Sequence, residues 1–416
     1  MIIIHSMTGS SKFLPRALRA SVARMAQVMP VVVIGGARQS GKSTLVRELL
    51  PDARAYFSLD DLDVRDQAER APDDLLERGD DLVLDEVQKV PELLAAVKRA
   101  VDRDRRAGRF ILTGSANLLL MQRVSESLAG RAGYLTLWPM TQRELGGSGR
   151  AGRWSELFEE PFETWPQRLE EDAENQRSWH DAVVRGGYPV PAVELTDAED
   201  RRIWLDGYVR TYLERDLQDL SSIDNLVDFR RLMRAVCLRV GNVLNQTEIG
   251  RDIGLPQPTV RRWLNLLEAS YQLVRLPCYA VNRTKRLIKS PKLYWCDTAL
   301  ALRLAGEPEP TGAHLENLIL SDLLVWRDAH ASDHPGLFYW RTTRGDEVDL
   351  VIERRSQVVA VKIKSATRVN ARDAAHLATF RDDHGPSVRG CLLLHCGTRV
   401  ERLGRGIVAA PWWSVL

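Results

Sequence analysis

Val31-Val32-Val33-Ile34 runs without a break into Gly35-Gly36-Ala37-Arg38-Gln39-Ser40-Gly41-Lys42-Ser43-Thr44. Four β-branched residues in a row make a short strand buried on both faces. The glycine turn that follows opens an amphipathic pattern from Lys42 to Leu50. Gly36 to Ser43 fits Gly-x-x-x-x-Gly-Lys-Ser/Thr, a phosphate-binding loop set where its mechanism needs it, between a buried strand and a helix. Backbone N–H groups from Gly36 through Ala37, Arg38, Gln39, Ser40 and Gly41 to Thr44 would curl around the phosphates of a nucleotide. The positive end of the helix would face them. Lys42 would reach the β and γ phosphates, and the Ser43 hydroxyl would sit on Mg²⁺. ATP and Mg²⁺ are the implied cofactors.

A second motif agrees. Leu82-Val83-Leu84 is an apolar run ending in Asp85-Glu86. Asp85 would hold the magnesium shell, and Glu86, diverging from it at a strand end, would polarise the attacking water. Ala55 to Leu59, Phe110 to Leu112 and Tyr134 to Leu137 are further strand candidates, with helical patterns between. The alternation predicts an α/β fold with a parallel sheet covered on both faces, in a first domain over 1–145. Thr113 and Ser115 end the fourth strand as γ-phosphate sensors, or Ser115 and Asn117 cap a helix. Arg131 would act in trans as a finger on a neighbouring site, or sit in a surface ion pair.

The composition excludes other classes. With 44% hydrophobic and 27% charged residues over 416 positions, the chain is globular rather than disordered. No apolar run reaches the length of a membrane span, so no membrane partner and a cytoplasmic address are expected. The net charge of +2 does not announce a nucleic-acid binder; any basic surface must be local. The odd number of cysteines without Cys-x-x-Cys reads as reduced core thiols.

The pieces Gly-Ala-Arg-Gln-Ser-Gly-Lys-Ser-Thr, Leu-Asp-Glu-Val-Gln, Leu-Thr-Gly-Ser-Ala and Leu-Ala-Gly-Arg, spanning Val31 to Glu144, resemble the ATPase domain of the bacterial and archaeal AAA-type family AAA_14. In that family a region called DUF4143 follows. Gly186-Gly187-Tyr188-Pro189, Tyr212-Leu213-Glu214-Arg215-Asp216-Leu217 and Lys292-Leu293-Tyr294-Trp295-Cys296-Asp297 are similar to it. The resemblance implies an ATPase whose task it does not define.

The middle, 146–285, is helical. Gln246 to Leu255 reads as a short helix with a glycine turn, and Pro256 starts a second helix, the pattern of a helix-turn-helix. If it reads double-stranded DNA, Gln257, Thr259, Arg261 and Arg262 lead into the major groove. A strand-like tail, Tyr271 to Tyr279, and the basic stretch with Arg283, Lys285, Arg286, Lys289 and Lys292 would form a wing and its flank. Such a module serves equally as an internal contact or a lid. Arg215 pairs within its helix or touches the ATPase domain.

The last segment, 286–416, mixes helix and strands as an α+β domain. Glu316 on a helix, Asp349 on a strand and Lys364 on the next resemble the PD-(D/E)xK nuclease core, which gathers Mg²⁺ on carboxylates. The position expected to be acidic is Lys362. Strand alternation points residues 362 and 364 to one face. Lys362 therefore puts a positive charge where a metal ligand belongs, a change of about 8 kcal/mol at 4 Å and an effective dielectric of 20. Glu347 or Glu353 would have to swing in as a replacement.

The resulting expectation is a Mg²⁺-dependent ATPase that switches how a winged-helix-like module and a non-cutting nuclease-like module hold DNA. The alternatives are an ATP-regulated nuclease, a small-molecule kinase, and an ATP-gated interaction protein, with a protein partner or itself, of a defence or toxin–antitoxin pair.

Overall fold

The computed structural model describes residues 13–49, 54–115, 128–216, 223, 225–330, 333 and 335–416. Helix α1 (Arg19–Ala26) leads to β1 (Val31–Gly35), the phosphate-binding loop, and α2 (Lys42–Leu49). Strands β2 (Ala55–Ser58), β3 (Leu82–Asp85), β4 (Phe110–Thr113) and β5 (Ala132–Thr136) complete a sheet in the order β2-β3-β4-β1-β5. Every pairing is parallel. The burial of β1 shows why the β-branched run belongs there. Val31 and Val33 join a core with Leu93 and Val97 of α3 (Leu93–Arg103), while Val32 and Ile34 join another with Leu18, Val22, Leu45 and Val46. Alternate side chains feed two helical layers, as a central parallel strand requires.

The middle carries α4 (Ala198–Tyr208), continued by a π-helical stretch Val209–Asp216. Helix α5 (Leu226–Cys237) precedes α6 (Gln246–Ile253) and α7 (Gln257–Ala269). Gly254 ends α6 in the left-handed region at φ 71°, a conformation glycine adopts without the Cβ clash. Strand β6 (Leu273–Leu276) then pairs antiparallel with β7 (Lys292–Trp295), and a short helix, α8 (Arg283–Ile288), lies between them. The boundary expected between 285 and 286 would fall inside this hairpin, between the paired strands β6 and β7.

The C-terminal part has α9 (Gly312–Ala329) and α10 (Ala375–His384) on opposite faces of a six-stranded sheet. Its strands are β8 (Gly336–Arg341), β9 (Glu347–Arg354), β10 (Gln357–Ile363), β11 (Val388–His395), β12 (Glu401–Gly404) and β13 (Ile407–Pro411). The order is β12-β13-β11-β10-β9-β8. One continuous hydrophobic core joins Trp154, Leu232, Trp263, Trp295, Leu323, Val361 and Trp413. The middle and C-terminal parts therefore share their buried surface. Among the described residues no helix is long and apolar enough to cross a membrane.

Candidate nucleotide site and the rear carboxylate cluster

Because β3, β4 and β1 are adjacent and parallel, their carboxyl ends bring Asp85, Thr113 and Gly36 to one edge, where open α/β sheets bind ligands. Gly36 sits at φ 145°, and a Cβ there would lie 2.3 Å from the Leu137 carbonyl oxygen, so no other residue fits. Lys42 is buried, and its ammonium donates to the carbonyls of Gly36 (3.1 Å) and Ala37 (3.0 Å). Ser40 is buried, Ser43 and Gly41 are partly covered, and Arg38, Gln39 and Thr44 are exposed.

Three of the non-glycine residues with positive φ cluster here: Gln39 in the loop, Glu86 after β3, and Tyr271, whose hydroxyl lies 2.6 Å from where a Gly35 Cβ would stand. Left-handed backbone costs such residues about 1–3 kcal/mol each, and it concentrates at functional sites.

Asp85 is buried; it accepts from the Tyr56 hydroxyl at 2.5 Å and from Thr113 Oγ1. Glu86 accepts from Gln88 Nε2 and, at 3.2 Å, from the Ser115 hydroxyl. The two hydroxyls read as γ-phosphate sensors or a cap are thus both spent on orienting the carboxylates. Asn117 lies outside the described residues. Arg131 is at the other end of the sheet, where its carbonyl accepts from Val31 N, and its guanidinium holds Asp102 at 2.6 Å. Between its two readings, the structure places it in the surface ion pair.

Burial pushes the Lys42 pKa down to about 8, with Glu86 and Asp85 opposing the shift. Phosphates arriving beside it would favour the charged form. Nucleotide binding above pH 8 should therefore take up a proton, with affinity falling by up to about tenfold per pH unit beyond that point. Titration calorimetry at pH 9 in buffers of different ionisation heat checks this; a heat independent of buffer would refute it.

Among the described residues no three His, Cys, Asp or Glu side chains are grouped to hold a metal. That is no obstacle for Mg²⁺, which keeps waters and binds through one or two protein oxygens plus substrate phosphates. The Asp85 carboxylate and Ser43 hydroxyl are hard oxygen donors of that kind.

Sequence reading missed the support around the loop, since no motif marks it. Arg16, buried, donates to the Ser40 carbonyl (2.8 Å), the Trp138 carbonyl (2.6 Å) and Glu144 (3.1 Å). The Tyr208 hydroxyl donates to the Arg38 carbonyl at 3.2 Å. Pro189 approaches Gly41, the Gly187 carbonyl accepts from Met140 N, and Gly187 N donates to Asp297 at 2.7 Å. Pro189, Tyr208 and Tyr212 thus approach the phosphate loop, and Asp297 holds Gly187 behind them. The Arg215 side chain lies outside the described residues.

On the helix-turn-helix face, Gln257, Arg261 and Arg262 are exposed and Thr259 is partly so. The basic stretch is only partly available. Arg283 and Lys289 are exposed, and the Lys285 side chain lies outside the described residues. Arg286 is corrected to an internal role: it stacks on Tyr279 and Phe338 and forms a bidentate pair with Glu353 at 2.6 and 3.1 Å. Lys292 is corrected likewise. Its buried ammonium lies 2.5 Å from Glu347, 3.7 Å from Glu316 and 4.0 Å from Asp349.

This places two lysines in the rear carboxylate cluster. Lys362 donates to Asp349 at 2.7 Å, and the other Asp349 oxygen accepts from Ile363 N. Lys364 does not share the face expected of it: β10 ends at Ile363, and the Lys364 ammonium reaches Asp373 at 3.9 Å. Glu347 does come in, but onto Lys292; Glu353 is held by Arg286. Burial raises the Glu316 pKa to about 7, with Asp349 adding to the shift and the lysines opposing it. Burial also works against the Lys292 ammonium, yet the surrounding carboxylates outweigh it and hold its pKa above the ordinary lysine value.

Comparison with known proteins agrees with this architecture. Residues 29–146 match an AAA domain model (AAA_14), 176–311 a domain of unknown function (DUF8612), and 311–415 another (DUF4143). The chain is 31% identical over 359 residues to the uncharacterized proteins Rv2008c of Mycobacterium tuberculosis and Mb2031c of Mycobacterium bovis, covering 83% of this chain and 73% of each relative. Among solved structures, the Walker-type ATPase of Pyrococcus abyssi is similar, with 15% identity, a TM-score of 0.45, and coverage of 72% of this chain and 98% of that one. With a phosphate loop at the carboxyl edge of a parallel sheet and the DUF4143 region behind it, the chain belongs to the family of AAA-domain proteins that includes Rv2008c.

Proposed function

We propose that this chain is an ATP-driven switch. It binds ATP on Gly36–Thr44, hydrolyses it with Glu86 as general base, and so changes how its rear parts hold double-stranded DNA. The observation that carries the reading is the convergence of Lys42, Asp85 and Glu86 at one sheet edge, with residues of the middle part hydrogen-bonded to the same loop. Lys42 would move from the loop carbonyls to the phosphates. Ser115 and Gln88 hold the Glu86 carboxylate in one orientation, so it would receive a water proton without reorganising. Magnesium, held by Ser43 and Asp85, would neutralise phosphate charge.

The rear cluster supports a holder rather than a cutter. A metal-dependent nuclease needs exposed excess negative charge to gather cations. Here Lys292 and Lys362 occupy the carboxylates, and Glu316 titrates near neutrality. DNA contact would fall to Gln257, Thr259, Arg261, Arg262, Arg283 and Lys289. An ATP-gated protein contact through the same face is the competing reading.

ATPase turnover with and without duplex DNA over a salt series tests both. DNA should change turnover, and the apparent affinity should fall with log salt at a slope reduced by about 2 in the double variant Arg261→Ala, Arg262→Ala. Turnover indifferent to DNA at every salt would reject the DNA partner. Nicked DNA recovered from the same reactions would reject the non-cutting reading.

A further inference from the structure

We propose that the Tyr212 hydroxyl, supplied by the π-helical stretch of the middle part, is a positioning group that donates to the terminal phosphate of bound ATP, so that triphosphate and diphosphate are told apart by a residue outside the sheet domain. Tyr212 is 3% exposed, and among the described residues its hydroxyl has no hydrogen-bond partner. A buried phenol with nothing to bond is costly, and a phenylalanine would fill the same space without that cost. The hydroxyl therefore earns its place only when another acceptor arrives.

Its surroundings say which acceptor. The Arg38 guanidinium lies 5.8 Å from the centre of the Tyr212 ring, and the ring stands 5.3 Å from that of Tyr208, whose hydroxyl donates to the Arg38 carbonyl. Tyr212 lies in the field of Cys296 first, then of Arg38 and Glu86. The Lys42 ammonium, the group that reaches the β and γ phosphates, lies in the field of the last two of these residues. Tyr212 thus stands against the Arg38 corner of the phosphate loop. Burial holds its pKa well above the ordinary phenol value, so the group stays a donor.

Tyr208, one turn earlier, makes the contrast. It accepts from Gln272 Nε2 at 3.2 Å and shares a hydrogen bond with Tyr188 at 3.0 Å, so its hydroxyl is fully employed within the protein. Gln272 sits just before β6, and Tyr271 beside it touches Gly35. A phosphate pulling on Tyr212 would therefore act on the joint between α7 and its wing. A π-helical stretch suits this duty, because such turns are less stable than α-helix and recur at functional sites.

The proposal rests on ATP binding at the loop, and the test separates the two. Tyr212→Phe in the full chain should keep the thermal midpoint of the nucleotide-free protein or raise it. Its affinity for ATP should fall about tenfold, the usual size of a lost hydrogen bond to a charged group, while its ADP affinity stays at the wild-type value. Tyr208→Phe, removing an employed hydroxyl, should lower the midpoint instead. Wild-type protein that binds ATP, alongside a Tyr212→Phe variant with unchanged ATP-to-ADP preference, would overturn this proposal alone. Wild-type protein that binds neither nucleotide would overturn the ATP site and this proposal together.

Discussion

Lys42→Ala is expected to remove ATP binding at concentrations that saturate the wild-type chain. The Lys42 ammonium is buried and held by two loop carbonyls, pointing along the cradle that phosphates would enter. Removing one partner of a desolvated, hydrogen-bonded charge pair costs about 2–5 kcal/mol, or some thirtyfold to several-thousandfold in affinity. Fluorescent-nucleotide titration measures it. The fold should tolerate the change, because the Lys42 side chain is not part of either apolar core that packs on the sheet. A variant with wild-type affinity and an unchanged thermal midpoint would remove the loop from nucleotide binding altogether.

Glu86→Gln should separate binding from chemistry. Glutamine keeps the size and the hydrogen bonds to Gln88 and Ser115 but cannot take a proton. A positioned general base contributes about 10²–10⁴ in rate. Turnover should fall by that factor while ATP affinity changes little, leaving a protein that holds ATP. Single-turnover kinetics after rapid mixing would show it. Full turnover in the variant would reassign Glu86 to a structural part, and its left-handed backbone at φ 60° would then be strain without a catalytic return.

These two expectations come from motifs whose chemistry is local, and that is why they could be read before any coordinates. A P-loop is a run of consecutive backbone donors, and Asp85-Glu86 is the end of one strand. The sheet built from Val31–Gly35, Ala55–Ser58, Leu82–Asp85, Phe110–Thr113 and Ala132–Thr136 follows the strands read from the apolar runs. The rear cluster was half legible. Lys362 announced its misplaced charge, but Lys292, seventy residues away by number, gave no sign of entering the same cluster from β7. It looked like one more base in a DNA-facing stretch. Arg286 misled in the same way, since its bond to Glu353 depends on how β9 passes the hairpin.

What the order of residues determined alone is the set of short-range devices: the buried strand, the glycine loop, the acid pair, and the helix–turn–helix closed by Gly254. Each is specified within ten or so residues by backbone sterics and hydrogen bonding, so neighbours in the chain suffice. Only tertiary structure decided which groups far apart in the chain share a site. It set Arg16 on the Ser40 carbonyl, Tyr212 beside Arg38, and Lys292 among Glu316, Glu347 and Asp349. Those meetings are set by how helices and strands pack, and a charge or hydroxyl finds its partner only once that packing has removed water from around it.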